Sequence, residues 1–127
     1  MKVSAILYDD RIEYANSRNQ GIITGSEGPS PMELLLMSVA GCSGLTLESL
    51  LERDGYAPDK LELAVEGKIS EKAPRRFTEI HISYDIQCEG LDKEAFEKYL
   101  KITERVCPVV QSLSATIHLS YALNEQK

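Results

Sequence analysis

Apolar and polar residues alternate over positions 2–8 and again over 11–16, with Asp9-Asp10 between the two runs. Asn19-Gln20-Gly21 then turns the chain into a short strand at 21–24, so the first part of the sequence predicts a small three-stranded meander. The pattern changes at Pro31. From Pro31 to Arg53, at about 100° per residue, apolar side chains fall at every angle around a helix. Its charges, Glu33, Glu48, Glu52 and Arg53, lie towards the two ends. Ser30 supplies a cap, Pro31 suits the first helical position, Glu33 completes a capping box and Asp54-Gly55 supplies the stop. A helix with no face to give to water must be surrounded by protein.

Beyond Pro58, Leu61, Leu63, Val65 and Ile69 are interleaved with Glu62, Glu66, Lys68 and Ser70, the pattern of a half-buried strand. Ala73-Pro74-Arg75-Arg76 turns the chain, and Ile80, Ile82, Tyr84, Ile86 and Cys88 mark the apolar face of an antiparallel partner strand. Asp92 caps a second helix in which Phe96, Tyr99, Leu100, Thr103 and Val106 form one apolar face, with Glu94/Lys98 and Glu97/Lys101 pairs outside. It stops near Cys107-Pro108, and Ile117, Leu119, Tyr121 and Leu123 mark a closing strand. The expected fold class is α+β: an antiparallel sheet with a buried central helix and a second, amphipathic helix. One amphipathic helix and a few strands cannot cover the first helix on all sides, so a second copy of the chain is expected to complete the cover, as a homodimer.

The 127 residues, 43% hydrophobic and 27% charged, fit a single domain spanning 1–127 with a real core. A net charge of −6 without a basic run argues against nucleic acid and anionic membrane as partners. Ser38, Gly41, Ser43 and Gly44 interrupt the long apolar helix and argue against a membrane span. The opening Met1-Lys-Val-Ser-Ala-Ile-Leu-Tyr runs into strand-like sequence without a signal-peptide pattern, and a cytoplasmic location is expected. His81 and His118 lie on the polar sides of separate strand patterns, and the cysteines at 42, 88 and 107 show no metal-binding spacing, so neither a metal nor a cofactor is expected.

The three cysteines are the candidate chemistry. Cys42 sits in the middle of the apolar helix between two glycines, Gly41 and Gly44. It is either a small hydrophobe filling space or a reactive thiolate. It lies beyond the first turn, where the helix dipole could ionise it, so a reactive Cys42 needs a cation from elsewhere. Cys107, at a helix end before Pro108, is either a core cysteine or a thiol able to approach a partner without unwinding much chain. Cys88, on the apolar face of its strand, reads as packing.

The block Gly28-Pro-Ser-Pro-Met-Glu-Leu-Leu-Leu-Met-Ser-Val-Ala-Gly-Cys42, the Ala73-Pro-Arg-Arg-Phe-Thr78 hairpin and the later Cys107-Pro108-Val109 together resemble the OsmC/Ohr superfamily of thiol peroxidases, over essentially the whole chain. That resemblance implies an intertwined homodimer with active sites at the interface, and reduction of small organic hydroperoxides without metal or flavin. It implies that Cys42 attacks the O–O bond and becomes a sulfenic acid, and that Cys107 resolves it as a disulfide reopened by a dithiol reductant. Family peroxidases carry a catalytic glutamate ten residues before the reactive cysteine, and it holds an arginine over the sulfur; here that position is Met32. Glu33 is no simple substitute, because nine residues of helix place it about 180° from Cys42 where ten would give about 80°. The candidates for the activating cation are Arg11, Arg18 and Arg75, with Arg76 beside the last. The expected activity is a weak, cysteine-based hydroperoxide reductase. The alternative is a non-enzymatic or redox-sensing member that binds a small apolar molecule in the dimer groove.

Overall fold

A computed structural model describes residues 1–125. The chain packs as two compact units, Met1–Leu35 and the residues from Leu36 onward. In the first, β1 (Val3–Leu7), β2 (Arg11–Asn16) and β3 (Gly21–Gly25) form the expected antiparallel meander, with Val3 opposite Asn16 and Ile12 opposite Thr24. The turn between β2 and β3 is closed by the Asn16 side chain, whose Oδ1 accepts the Arg18 and Gln20 amides at 2.9 and 3.0 Å, while Asn19 takes the left-handed conformation (φ 59°). Every residue of β1 is exposed, and Val3 (72%), Leu7 (74%) and Ile23 (69%) leave large apolar side chains uncovered.

Helix α1 runs from Pro31 to Arg53, as the capping signals predict. The box at its start is formed in both directions: the Ser30 amide donates to Glu33 Oε1 at 3.0 Å and the Glu33 amide donates to Ser30 Oγ at 3.2 Å. Its end is closed by the Gly55 amide on the Glu52 carbonyl (3.0 Å) and the Tyr56 amide on the Leu51 carbonyl (2.9 Å). That closure needs the left-handed residue at Gly55 (φ 87°).

In the second unit, β4 (Lys60–Ile69), β5 (Phe77–Gln87) and β6 (Thr116–Leu123) make one sheet in that order. The sheet is mixed rather than antiparallel. β4 and β5 pair antiparallel as expected, but β6 lies parallel to β5, with Ile80 opposite Ile117, Ile82 opposite Leu119 and Tyr84 opposite Tyr121. Alternating side chains specify a face and not a direction; the long connection through α2 (Lys93–Val106) and α3 (Pro108–Gln111) carries the chain back so that β6 enters beside β5 in the same sense.

One face of the sheet, led by Ile80, Ile82, Tyr84 and Ile86, is buried. Leu63 of β4 lies against Gly44, and at Gly67 a side chain would collide with the Phe77 ring and press on Leu36, so α1 is seated on this face. The stripe of α1 that is buried is Val39, Ser43, Leu47 and Leu51, at a spacing of one turn. Away from it, Met37 and Leu45 are exposed at 52% and 67%. A helix apolar on all sides is therefore covered on one side by its own chain. It is also long and apolar enough by composition to cross a membrane, with a mean hydropathy of 1.6.

Helix α2 begins at Asp92, whose Oδ1 accepts the Ala95 amide at 2.8 Å. It buries Phe96, Leu100 and Thr103. Val106, expected on the same face, is exposed, because the chain leaves the helix at the next residue and tucks in Cys107 instead.

Candidate functional site

Pro108 determines the local geometry of Cys107. A residue before proline is disfavoured in the helical region, and Cys107 accordingly takes φ −67°, ψ 114° while its amide still donates to the Thr103 carbonyl at 2.9 Å. Pro108 then opens α3, where its missing N–H is not needed. Cys107 is thus the last residue held by α2 and the first before α3, with its side chain completely buried.

Cys42 and Cys107, far apart in sequence, meet. Each thiol lies close enough to shift the acidity of the other, and Cys42 is partly exposed where Cys107 is not. Ser43, the next residue along α1, places its Oγ 3.8 Å from Cys107 Sγ. Ser43 also faces the hydroxyl of Tyr84 on β5.

The two thiols are not electrostatically equivalent. Burial pushes the Cys42 thiol up most; the Val109 amide opposes it, the side chain of Cys107 adds to it, the Thr46 side chain opposes it least, and the net direction is up. Burial also pushes Cys107 up. There, however, the Val110 amide, the Cys42 and Ser43 side chains and the Val109 amide all favour the anion, and the net direction is down. Of the two thiols Cys107 is the more acidic, because more donors converge on it. Cys88, the third thiol, is pushed up by burial, its segment tied by the Cys88 amide on Asn124 Oδ1 at 2.7 Å.

The candidate arginines fall in different places. Arg11 starts β2 in the first unit, with Nε donating to Glu13 Oε2 at 2.7 Å, Nη1 to Asp10 Oδ1 at 2.8 Å, and its guanidinium carbon 3.9 Å from the centre of the Tyr8 ring. Arg18 lies in the exposed β2–β3 turn. Arg75 and Arg76 are exposed between β4 and β5. Glu33 is engaged in the α1 cap and Met32 is half-buried. No group of three or more His, Cys, Asp or Glu side chains able to hold a metal occurs among the described residues. His118 and His81 instead bond to Glu79 (2.9 Å) and Ser120 (2.8 Å) on the polar face of the sheet.

Sequence reasoning missed Ser43 and Tyr84. The signal was present: Ser43 is the polar member of the apolar stripe 39, 43, 47, 51, and Tyr84 the polar member of the isoleucine face of β5.

The fold and sequence match known proteins. The family model described as OsmC-like protein matches residues 24–122. Protein YhfA of Escherichia coli strain K12 is 27% identical over 100 residues, covering 78% of this chain and 75% of that protein. Peroxiredoxin OsmC of the same organism is also 27% identical over 100 residues, covering 78% of this chain and 70% of its own length. The crystal structure of an OsmC-like protein from Mycoplasma pneumoniae superimposes with a TM-score of 0.86 at 17% identity, over 98% of this chain and 96% of that one.

Proposed function

The chain belongs to the OsmC-like protein family, and from that premise we propose that it is a thiol peroxidase that reduces small organic hydroperoxides through Cys42 and Cys107. The observation that carries this reading is the meeting of a partly exposed thiol with a buried, anion-favouring one. The accessible sulfur, Cys42, is the one a hydroperoxide can reach. Cys42 gives its proton to solvent, and the Cys42 thiolate attacks the O–O bond, becoming a sulfenic acid and releasing an alkoxide. The alkoxide takes the proton from Cys107 and leaves as the alcohol. The Cys107 thiolate then attacks Cys42, forming the disulfide and expelling hydroxide, which solvent protonates to water. A dithiol reductant returns both sulfurs to the starting state, in the reducing cytoplasm we propose as its setting.

Arg11 is the candidate cation, because Glu13 and Asp10 already fix its guanidinium, the service that the family glutamate performs elsewhere and that Met32 cannot. We further propose an obligate homodimer, which would cover the exposed side of α1 and the open faces of β1–β3. The raised Cys42 pKa and Met32 favour a second reading, a slow redox sensor or apolar-ligand binder using the same pair. Stopped-flow mixing of the reduced protein with cumene hydroperoxide and with hydrogen peroxide decides between them. Rapid stoichiometric consumption of the organic peroxide supports the enzyme; no consumption by Cys42 removes it.

A further inference from the structure

We infer that Ser43 is a positioning residue that holds Cys107 ready to close the disulfide, donating its hydroxyl proton to the Cys107 sulfur, with Tyr84 as the buried neighbour that supports it. The inference rests on the thiol-peroxidase reading for its chemical meaning, and on geometry for its structure. Ser43 Oγ and Cys107 Sγ are 3.8 Å apart, and Ser43, Cys107 and Tyr84 are exposed by only 1%, 0% and 3%, so water does not compete for these groups.

The direction of the Ser43–Cys107 hydrogen bond follows from the chemistry of its neighbours. Burial, its leading cause, pushes the Tyr84 pKa up to about 12, so the phenol keeps its proton at physiological pH and no phenolate competes with Cys107 for the serine proton. Ser43 is the side chain it faces. A serine hydroxyl has one proton to give, and beside the Cys107 sulfur at 3.8 Å it favours the anion, as a donor does. The titratable groups that act on Cys107 or its neighbours are Cys42 from α1, Tyr84 from β5 and Glu104 from α2, the last acting on Tyr84; α3 contributes only backbone amides. None of these carries a positive charge, so hydrogen bonds must hold the anion.

The step served is the second of the cycle. The Cys107 thiolate attacks the sulfur of the Cys42 sulfenic acid; the S–S bond forms, the S–O bond breaks, and hydroxide leaves and is protonated by solvent. Cys107 is oxidised and Cys42 reduced from the sulfenic level. Without Ser43 less of Cys107 is ionised, the sulfenic acid waits longer, and further peroxide carries it to sulfinic acid.

The test uses Ser43→Ala, Tyr84→Phe and the double variant in the full chain. Because the double variant removes both buried hydroxyls together, it guards against misfolding of Ser43→Ala alone. In Ser43→Ala, disulfide closure followed by quenched-flow mass spectrometry should slow about tenfold near neutral pH, the loss of one charge-assisted hydrogen bond, and its pH profile should move about one unit towards alkali. Sulfenic acid at Cys42, trapped with dimedone, should still form and should accumulate for longer. Tyr84→Phe should shift closure the same way by less, the double variant should resemble Ser43→Ala, and Ser43→Thr should restore the wild-type profile. Separately, in Cys42→Ala protein the ultraviolet thiolate titration of Cys107 should rise about one unit when Ser43→Ala is added. An unmoved titration overturns the inference, whether or not the wild type consumes peroxide. An unmoved closure profile with normal sulfenic-acid formation overturns it too. Absence of any sulfenic acid in the wild type removes the peroxidase reading instead, and the titration then decides this inference by itself.

Discussion

Ser43 Oγ lies 3.8 Å from Cys107 Sγ, joining the middle of α1 to the kink between α2 and α3. The contact depends on two sequence decisions made far apart. Ser43 occupies a buried stripe otherwise filled by Val39, Leu47 and Leu51, and Pro108 forces Cys107 out of the helix and into the core. Cys42, one residue earlier on α1, is carried to the same sulfur by the same docking.

The raised pKa of Cys42 makes the first step pH-dependent. With a thiol pushed above the ordinary value of roughly 8.5, at most a few per cent is thiolate at pH 7, and the second-order rate should climb about tenfold per pH unit until the pKa is passed. Met32→Glu, which restores an acceptor at the position where family peroxidases have one, should raise the rate near neutrality and flatten this dependence. A wild-type rate that is already high and constant between pH 6 and 8, a range set around neutrality, would show that another group ionises Cys42.

Arg11 should matter where Arg18 and Arg75 do not, because only its guanidinium is clamped by two carboxylates. Arg11→Met should lower the neutral-pH rate of sulfenic-acid formation severalfold. Equal losses in Arg18→Met or Arg75→Met would move the assignment elsewhere.

Thr103 Oγ1 is buried without a hydrogen-bond partner among the described residues, one turn before Cys107 on α2. Replacing a hydroxyl that pays desolvation for no bond by a methyl group should stabilise the fold, so Thr103→Val should gain about 1–2 kcal/mol in urea unfolding. A loss of stability would mean that the hydroxyl has a partner in solution.

Much of the fold was legible in the sequence. The ends of α1 follow from Ser30, Pro31, Glu33 and Gly55, and the start of α2 from Asp92, because capping is a local interaction between neighbours. The strands followed from alternation. The direction of β6 did not, since Ile117, Leu119 and Tyr121 present the same apolar face whichever way they run beside β5. In the site, the two cysteines could be singled out, but which thiol is the more acidic depends on donors from α1 and α3 that only the folded chain assembles. Helix periodicity turns Glu33 away from Cys42, and the structure places it in the cap.

The exposed side of α1, with Met37 and Leu45, and the uncovered apolar residues of β1 and β3 predict that the protein is a dimer at low micromolar concentration. Sedimentation velocity should return a single dimeric species across a wide dilution series. A stable folded monomer would contradict the prediction.

The central claim is that Cys42 and Cys107 are the two ends of one redox reaction. The direct measurement is intact-mass and peptide analysis of the reduced protein after one equivalent of cumene hydroperoxide, in wild type and in Cys107→Ser. The account predicts a Cys42–Cys107 disulfide with Cys88 still a free thiol in the wild type, and in Cys107→Ser a gain of two oxygens at Cys42 as the unresolved sulfenic acid passes to sulfinic acid. A disulfide through Cys88, or an unoxidised Cys42, would contradict it.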